Sequence, residues 1–223
     1  MSTSNQLSLE NICCIRGNNT LFTSLNSIAI NGDILRIRGE NGSGKTSLLR
    51  IIAGITSPDD GQVLWNGERI NKSDSFASDI AYLAHRDGIK NEFTALENLR
   101  FYQQLYHQNN PQELLDILTA LDISHTAYIP ARQLSFGQRR RLGFARLLLA
   151  STKLWLLDEP FTGIDVEGRS LLEQHCLNFL NKGGIIVLTH HAEIENSALI
   201  AREKSIDLTT FNPIYTHAET ETA

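Results

Sequence analysis

The chain has 223 residues, 41% of them hydrophobic, and its 20 basic and 25 acidic side chains leave a net charge of −5. That is enough apolar sequence for one substantial packed domain, and it excludes global disorder. The acidic balance argues against a general nucleic-acid binder, which carries a basic surface, and no apolar run reaches the roughly 18–20 residues that span a bilayer.

The start of the chain, MSTSNQLSLEN, is polar and lacks the charged-then-apolar pattern of a signal peptide. The chain therefore reads as cytoplasmic, with any membrane role supplied through a partner. Cys13, Cys14 and Cys176 have neither CxxC nor Cys/His metal spacing. They read as ordinary buried thiols of a reducing compartment.

In chain order, LSLENICCI and LFTSLNSIAI read as antiparallel or mixed strands, with Asn31-Gly32-Asp33 as a turn. ILRIR is a short strand feeding a glycine-rich loop, and SLLRIIAG is a helix that Gly54 stops. Residues 57–61 read as a turn, and QVLWNG and IAYLA as two further strands. Thr94 and Glu97 form a capping box that opens a helix; Asn110-Pro111 starts another; a third begins at Ser135. Strand KLWLL, helix VEGRSLLEQHCLNFL, a turn at Lys182-Gly183-Gly184 and strand IIVLT follow.

Strands alternate with helices on both sides of the helical stretch, which predicts an α/β fold with a largely parallel sheet. The expected organisation is one domain over 1–208, with core segments 1–85 and 151–208 and a helical subdomain inserted at 86–150. The polar, acidic tail 209–223 is expected to be flexible.

Gly39-Glu40-Asn41-Gly42-Ser43-Gly44-Lys45-Thr46 matches G-x-x-x-x-G-K-[ST] and lies between an apolar strand and a helix. Glycines let the backbone wrap an anion, successive N–H groups form a nest, and the helix N-terminus adds positive potential. Lys45 can reach the β- and γ-phosphates, Thr46 can bind Mg²⁺ through its hydroxyl, and Ser47 follows in the same turn. These residues predict a site for the phosphates of a nucleotide, with Mg²⁺ beside them.

Leu154-Trp155-Leu156-Leu157-Asp158-Glu159 is an apolar strand ending in two acids. Beside a phosphate loop, Asp158 is expected to orient Mg²⁺ and Glu159 to poise the attacking water. Ser135, Gly137 and Gln138 belong to a second capped helix N-terminus, a second anion site. Arg139, Arg140 and Arg141 follow in its first turns, where the helix dipole disfavours cations; a phosphate, an acidic partner or solvation would offset this. Two anion sites for one nucleotide point to paired copies, each site taking the loop of one chain and the Ser135 helix of the other. Asn71-Lys72-Ser73-Asp74 matches the N-K-x-D of GTPases, but it sits too close to Lys45 and does not end an apolar strand.

With these residues in place, the chain resembles the nucleotide-binding subunits of ATP-binding-cassette transporters over residues 6–208. LSFGQ resembles their signature motif, GENGSGKT the Walker A, LWLLDEP the Walker B, and FTGID the loop after it. The resemblance implies an ATP-sandwich homodimer and a helical subdomain that meets a multi-spanning membrane subunit. It also implies a switch histidine after the last strand, where His190 and His191 both stand. Spacing from Gly183 favours His191, and the usual Thr-His pairing favours His190.

Two positions depart from the family pattern. His85 stands where a glutamine is usual; its imidazole can bind water or Mg²⁺ in that role, or it is an ordinary loop histidine. Arg16 stands where an aromatic usually stacks on adenine; its guanidinium plane can stack on a base or lie free on the surface. With His85, the segments TALENLRFY, DEPFTGID and GGIIVLTHH resemble the branch that serves cytochrome c maturation, the haem-exporter subunits of Gram-negative bacteria. That branch implies a peripheral protein on the cytoplasmic face of the inner membrane, with haem handled by partners rather than bound here. An exporter of another substrate is the alternative; a non-transport ATPase of the same family is a more distant one.

Overall fold

The computed structural model describes residues 4–73, 75–106, 111–189 and 194–212. The chain opens with β1 (Gln6–Arg16) and β2 (Asn19–Ile30), an antiparallel pair. Next, β3 (Ile34–Arg38) enters a second sheet and feeds α1 (Lys45–Ile52). Returning to the first sheet, β4 (Asp60–Trp65) lies against β1, and the two-residue β5 (Glu68–Arg69) extends it. A single turn, α2 (Phe76–Asp79), precedes β6 (Ile80–Leu83). Three helices follow, with no strand among the described residues between them: α3 (Ala95–Leu105), α4 (Pro111–Ala120) and α5 (Phe136–Leu149). The chain then alternates again through β7 (Leu154–Asp158), α6 (Val166–Asn181), β8 (Ile185–Thr189), α7 (Ser197–Ile200) and β9 (Glu203–Asp207).

The first sheet is antiparallel in the order β2-β1-β4-β5, and the second is parallel in the order β6-β7-β8-β3-β9. Period-two alternation gives the parallel sheet two apolar faces. Trp155, Leu157, Ile186 and Leu188 pack into the core shared with α3–α6. Leu154, Leu156, Ile185 and Val187 pack into the core shared with α1 and the antiparallel sheet. One buried carboxylate ties the two sheets together: Asp79, just before β6, accepts the Trp65 indole N–H from β4 at 2.9 Å and pairs with Lys153, next to β7, at 2.8 Å.

Among the described residues the predicted strands and helices recur with small boundary shifts. Thr94 and Ser135 both close capping boxes, with Glu97 and Gln138. The expected turn over residues 57–61 ends early, because β4 begins at Asp60. Gly61 holds φ +85° inside the strand, where a Cβ would lie 2.4 Å from the Asn11 carbonyl oxygen. The register with β1 shifts at the same place, between Glu10 and Cys13, so the glycine serves a bulge. The strand β9 is absent from the sequence reading, since its polar residues show no alternation and only Ile206 is buried. The expected break at 208/209 falls inside a 3-10 turn, Leu208–Phe211. The Asn110 cap, Asp74 and the tail from 213 onward lie outside the described residues. The three cysteines are free, Cys14 and Cys176 buried and Cys13 partly so.

Candidate nucleotide site

The phosphate loop leaves the C-terminal end of β3, in the interior of the parallel sheet, and runs into α1. Gly44 is the N-cap of that helix, at φ +104° and with no side-chain cap. A Cβ there would lie 2.9 Å from the Phe22 ring of β2, so only glycine lets the loop close onto the antiparallel sheet. Lys45 Nζ donates to the carbonyls of Gly39 and Glu40, both at 2.8 Å, which arches the loop over its own backbone. Burial lowers the Lys45 ammonium from its ordinary value, and the charges of Glu159 and Asp158 oppose that shift. Asn41 and Gly42 are exposed at the tip. Ser43 Oγ is buried without a hydrogen-bond partner among the described residues. Ser47, one turn on, hydrogen-bonds the Cys14 thiol of β1.

The acids arrive from β7. Thr46 Oγ1 donates to Asp158 Oδ2 at 3.0 Å, and Thr189 Oγ1, at the end of β8, donates to Asp158 Oδ1 at 2.7 Å. The carboxylate is thus held at both oxygens and is 3% exposed. Glu159 follows in the left-handed region, φ +50°, unusual for a residue with a side chain. Its N–H reaches the Thr189 carbonyl at 3.1 Å and hydroxyl at 3.0 Å, and Thr162 Oγ1 donates to its Oε2 at 3.1 Å. Burial and the Asp158 charge raise the Tyr82 phenol, while Arg50 hydrogen-bonds it. Thr46 hydroxyl and Asp158 carboxylate are hard oxygen donors, which suits Mg²⁺ shared with substrate phosphates.

The signature helix is α5. Ser135 Oγ accepts from the Gln138 N–H at 3.2 Å, and Gln138 Oε1 accepts from the Ser135 N–H at 3.0 Å. With Gly137, His125, Arg141 and Asp165 they line a cavity of about 370 Å³. The arginine run finds its partners within the chain. Arg139 pairs with Asp87 at 2.7 Å. Arg141 bridges Asp122 and Asp165. Arg140 donates to main-chain carbonyls, and burial lowers it from its ordinary value against the charges of Asp87, Asp158 and Glu159. These contacts decide among the offsets left open by the sequence: acidic partners and carbonyls, all from this chain.

His85 is exposed two residues beyond β6, whose Leu83 pairs with Leu157 of β7. The register places it at the sheet end where Asp158 and Glu159 follow Leu157. Arg16 ends β1 opposite Asn19, exposed, with its guanidinium on the Ile15 carbonyl. This hairpin end is near the loop, since Cys14 pairs with Phe22, the residue packed under Gly44. His190 and His191 lie outside the described residues. Sequence reading missed Thr189, Thr162, Tyr82 and His125 as neighbours of the site. The only local signal was the position of Thr189 at the end of IIVLT, directly before the histidines.

A parallel sheet with a glycine-rich turn on an interior strand, and a carboxylate from the next-but-one strand bonded to the threonine of that turn, define a phosphate-loop nucleoside triphosphatase. The sequence profile of the ABC transporter family matches residues 23–162, and the chain belongs to that family. It is an ATP-hydrolysing transporter subunit.

Among curated proteins, the chain is 46% identical to the cytochrome c biogenesis ATP-binding export protein CcmA of Histophilus somni (strain 129Pt), over 87% of this chain and 91% of the relative. It is 44% identical to the protein of the same name from Mannheimia succiniciproducens, over 89% and 94%. The fold matches a putative ABC transporter ATP-binding protein from Pyrococcus furiosus, with a TM-score of 0.79 at 22% identity over 93% of this chain and 99% of the other. It also matches a nucleotide-free ATP-binding cassette from an ABC transporter, with a TM-score of 0.73 at 23% identity over 92% and 88%.

Proposed function

We propose that this chain is the ATP-hydrolysing, energy-coupling subunit of a membrane complex for c-type cytochrome biogenesis, driving haem export or release of a haem-loaded chaperone. The hydrogen-bonded path Thr46–Asp158–Thr189–Glu159 carries the catalytic part of this reading, because it brings the loop threonine, the metal-orienting acid and the candidate base to one sheet end. The similarity to the cytochrome c biogenesis export proteins supports the biological part.

In this reading the loop 39–46 wraps the phosphates, and Lys45 shifts its ammonium from loop carbonyls to substrate oxygens. Thr46 and Asp158 would hold Mg²⁺, which when bound neutralises charge on the phosphates. Glu159, held by Thr162 and the Thr189 backbone, orients and deprotonates water. Ser135, Gly137 and Gln138 serve the site of a second copy, His190 or His191 contacts the γ-phosphate, His85 lies toward the metal, and Arg16 toward the base. The complex sits at the cytoplasmic face of a bacterial inner membrane, held there by a multi-spanning partner. No helix among the described residues is long and apolar enough to cross a membrane.

Deleting the gene and staining membranes for covalently bound haem tests the assignment. Loss of c-type cytochromes, restored by the wild-type chain but not by Glu159→Gln, is the expected result. Normal c-type cytochromes in the deletion would transfer the assignment to an exporter of another substrate.

A further inference from the structure

Arg140 is 5% exposed, and all five of its guanidinium donors are spent on main-chain carbonyls. Its Nε donates to Pro160 O at 3.2 Å, and Nη2 to Asp158 O at 2.6 Å and Glu159 O at 2.7 Å. Its Nη1 donates to Ala84 O at 3.3 Å and His85 O at 3.5 Å. A buried cation is costly unless fully hydrogen-bonded, and here the compensation comes from one short segment at the end of β7 and one just after β6. That first segment includes Glu159, whose positive φ persists only where its surroundings hold it. Removing the guanidinium would take a donor from three consecutive carbonyls around that residue, leaving Glu159 O the longer 3.3 Å bond from the Thr162 N–H.

We infer that Arg140 is a positioning residue for hydrolysis: from α5 it clamps the backbone of Asp158, Glu159 and Pro160 to that of Ala84 and His85, and so aims the Glu159 side chain at the phosphate loop. The neighbouring arginines cannot substitute, since Arg139 is committed to Asp87 and Arg141 to Asp122 and Asp165. The inference rests on the reading of Glu159 as the base.

The test uses the full chain in its membrane complex, with Arg140→Gln and Arg140→Lys made alone and combined with Glu159→Gln. Nucleotide affinity, kcat and thermal unfolding are measured for each. Arg140→Gln is expected to lower kcat at least about 10-fold, as a displaced catalytic group does, with ATP affinity within about twofold. Arg140→Lys, which keeps the charge and some donors, is expected to recover part of kcat. In the Glu159→Gln background neither substitution should lower kcat further, because both act through one group. The proposal is overturned if folded Arg140→Gln and Arg140→Lys turn over normally, or if their losses add in full to that of Glu159→Gln. It is equally overturned if every loss tracks a loss of ATP affinity or of melting temperature. Failure of the Glu159 reading is separately visible, as normal turnover in Glu159→Gln alone.

Discussion

Thr46 and Asp158 stand 112 positions apart in the chain, yet a 3.0 Å hydrogen bond from the threonine hydroxyl to the carboxylate joins them. The strand β8, which lies between β7 and the β3 that feeds α1, supplies Thr189 to the other carboxylate oxygen. An acid held at both oxygens has its orientation set before any ligand arrives, which is the preorganisation that phosphoryl transfer exploits.

Replacing Asp158 by Asn keeps the shape but removes the charge and turns one acceptor oxygen into a donor, so one threonine hydroxyl must turn from donating to accepting. The Mg²⁺ concentration for half-maximal ATP turnover is expected to rise about 10–100-fold, the usual cost of disturbing a metal's supporting residues. A magnesium titration of the hydrolysis rate checks this, and an unchanged midpoint would remove Asp158 from the metal site.

Lys45→Ala and Glu159→Gln should separate binding from chemistry. The first removes a charged donor worth about 1.5–3 kcal/mol, so nucleotide affinity should fall about 10–100-fold. The second leaves the loop intact, so affinity should persist while hydrolysis slows at least about 100-fold. Calorimetric binding beside a phosphate-release assay distinguishes the two.

The proposed sharing of sites between two copies makes a prediction about mixtures. Lys45→Ala spoils the loop of its own chain, and Ser135→Ala spoils the capped helix offered to the other. A dimer of one with the other contains one doubly damaged site and one intact site. Coexpressing equal amounts should therefore restore about one quarter of wild-type turnover if the two sites act independently. Each variant alone should be nearly inactive. No recovery in purified mixed dimers would count against independent, shared sites.

The capping boxes predict a pH dependence of stability. The Thr94 backbone and hydroxyl hydrogen bonds hold the Glu97 carboxyl below its ordinary value of 4.5. A carboxylate lowered by folding stabilises the native state above its unfolded pKa, and that contribution disappears as the pH falls through the folded value. The Asp165 cap of α6 is lowered in the same way, first by the Gly168 N–H and then by Arg141. In urea unfolding from pH 7 to pH 3, Glu97→Gln should lose less stability than wild type below pH 4.5. Parallel curves would show that the box does not titrate.

Local chemistry made much of this protein legible in one dimension. The glycine turn, the apolar strand ending in Asp158-Glu159, and the Thr94 and Ser135 boxes each depend on residues a few positions apart. The arginine run was visible too, but its meaning was not. A charge has no sequence-local signature for its partner, and Arg139, Arg140 and Arg141 find theirs in segments near residues 85, 122 and 160.

By itself the sequence determined the element types, the phosphate loop and the acids, because periodicity, capping and glycine conformation are short-range constraints. Tertiary structure alone decided the strand order that inserts β8 between β3 and β7, the recruitment of the polar edge strand β9, and the burial of Arg140 among carbonyls. These are contests among distant segments for hydrogen bonds and burial, and only the folded chain resolves which pairing leaves the fewest polar groups unsatisfied.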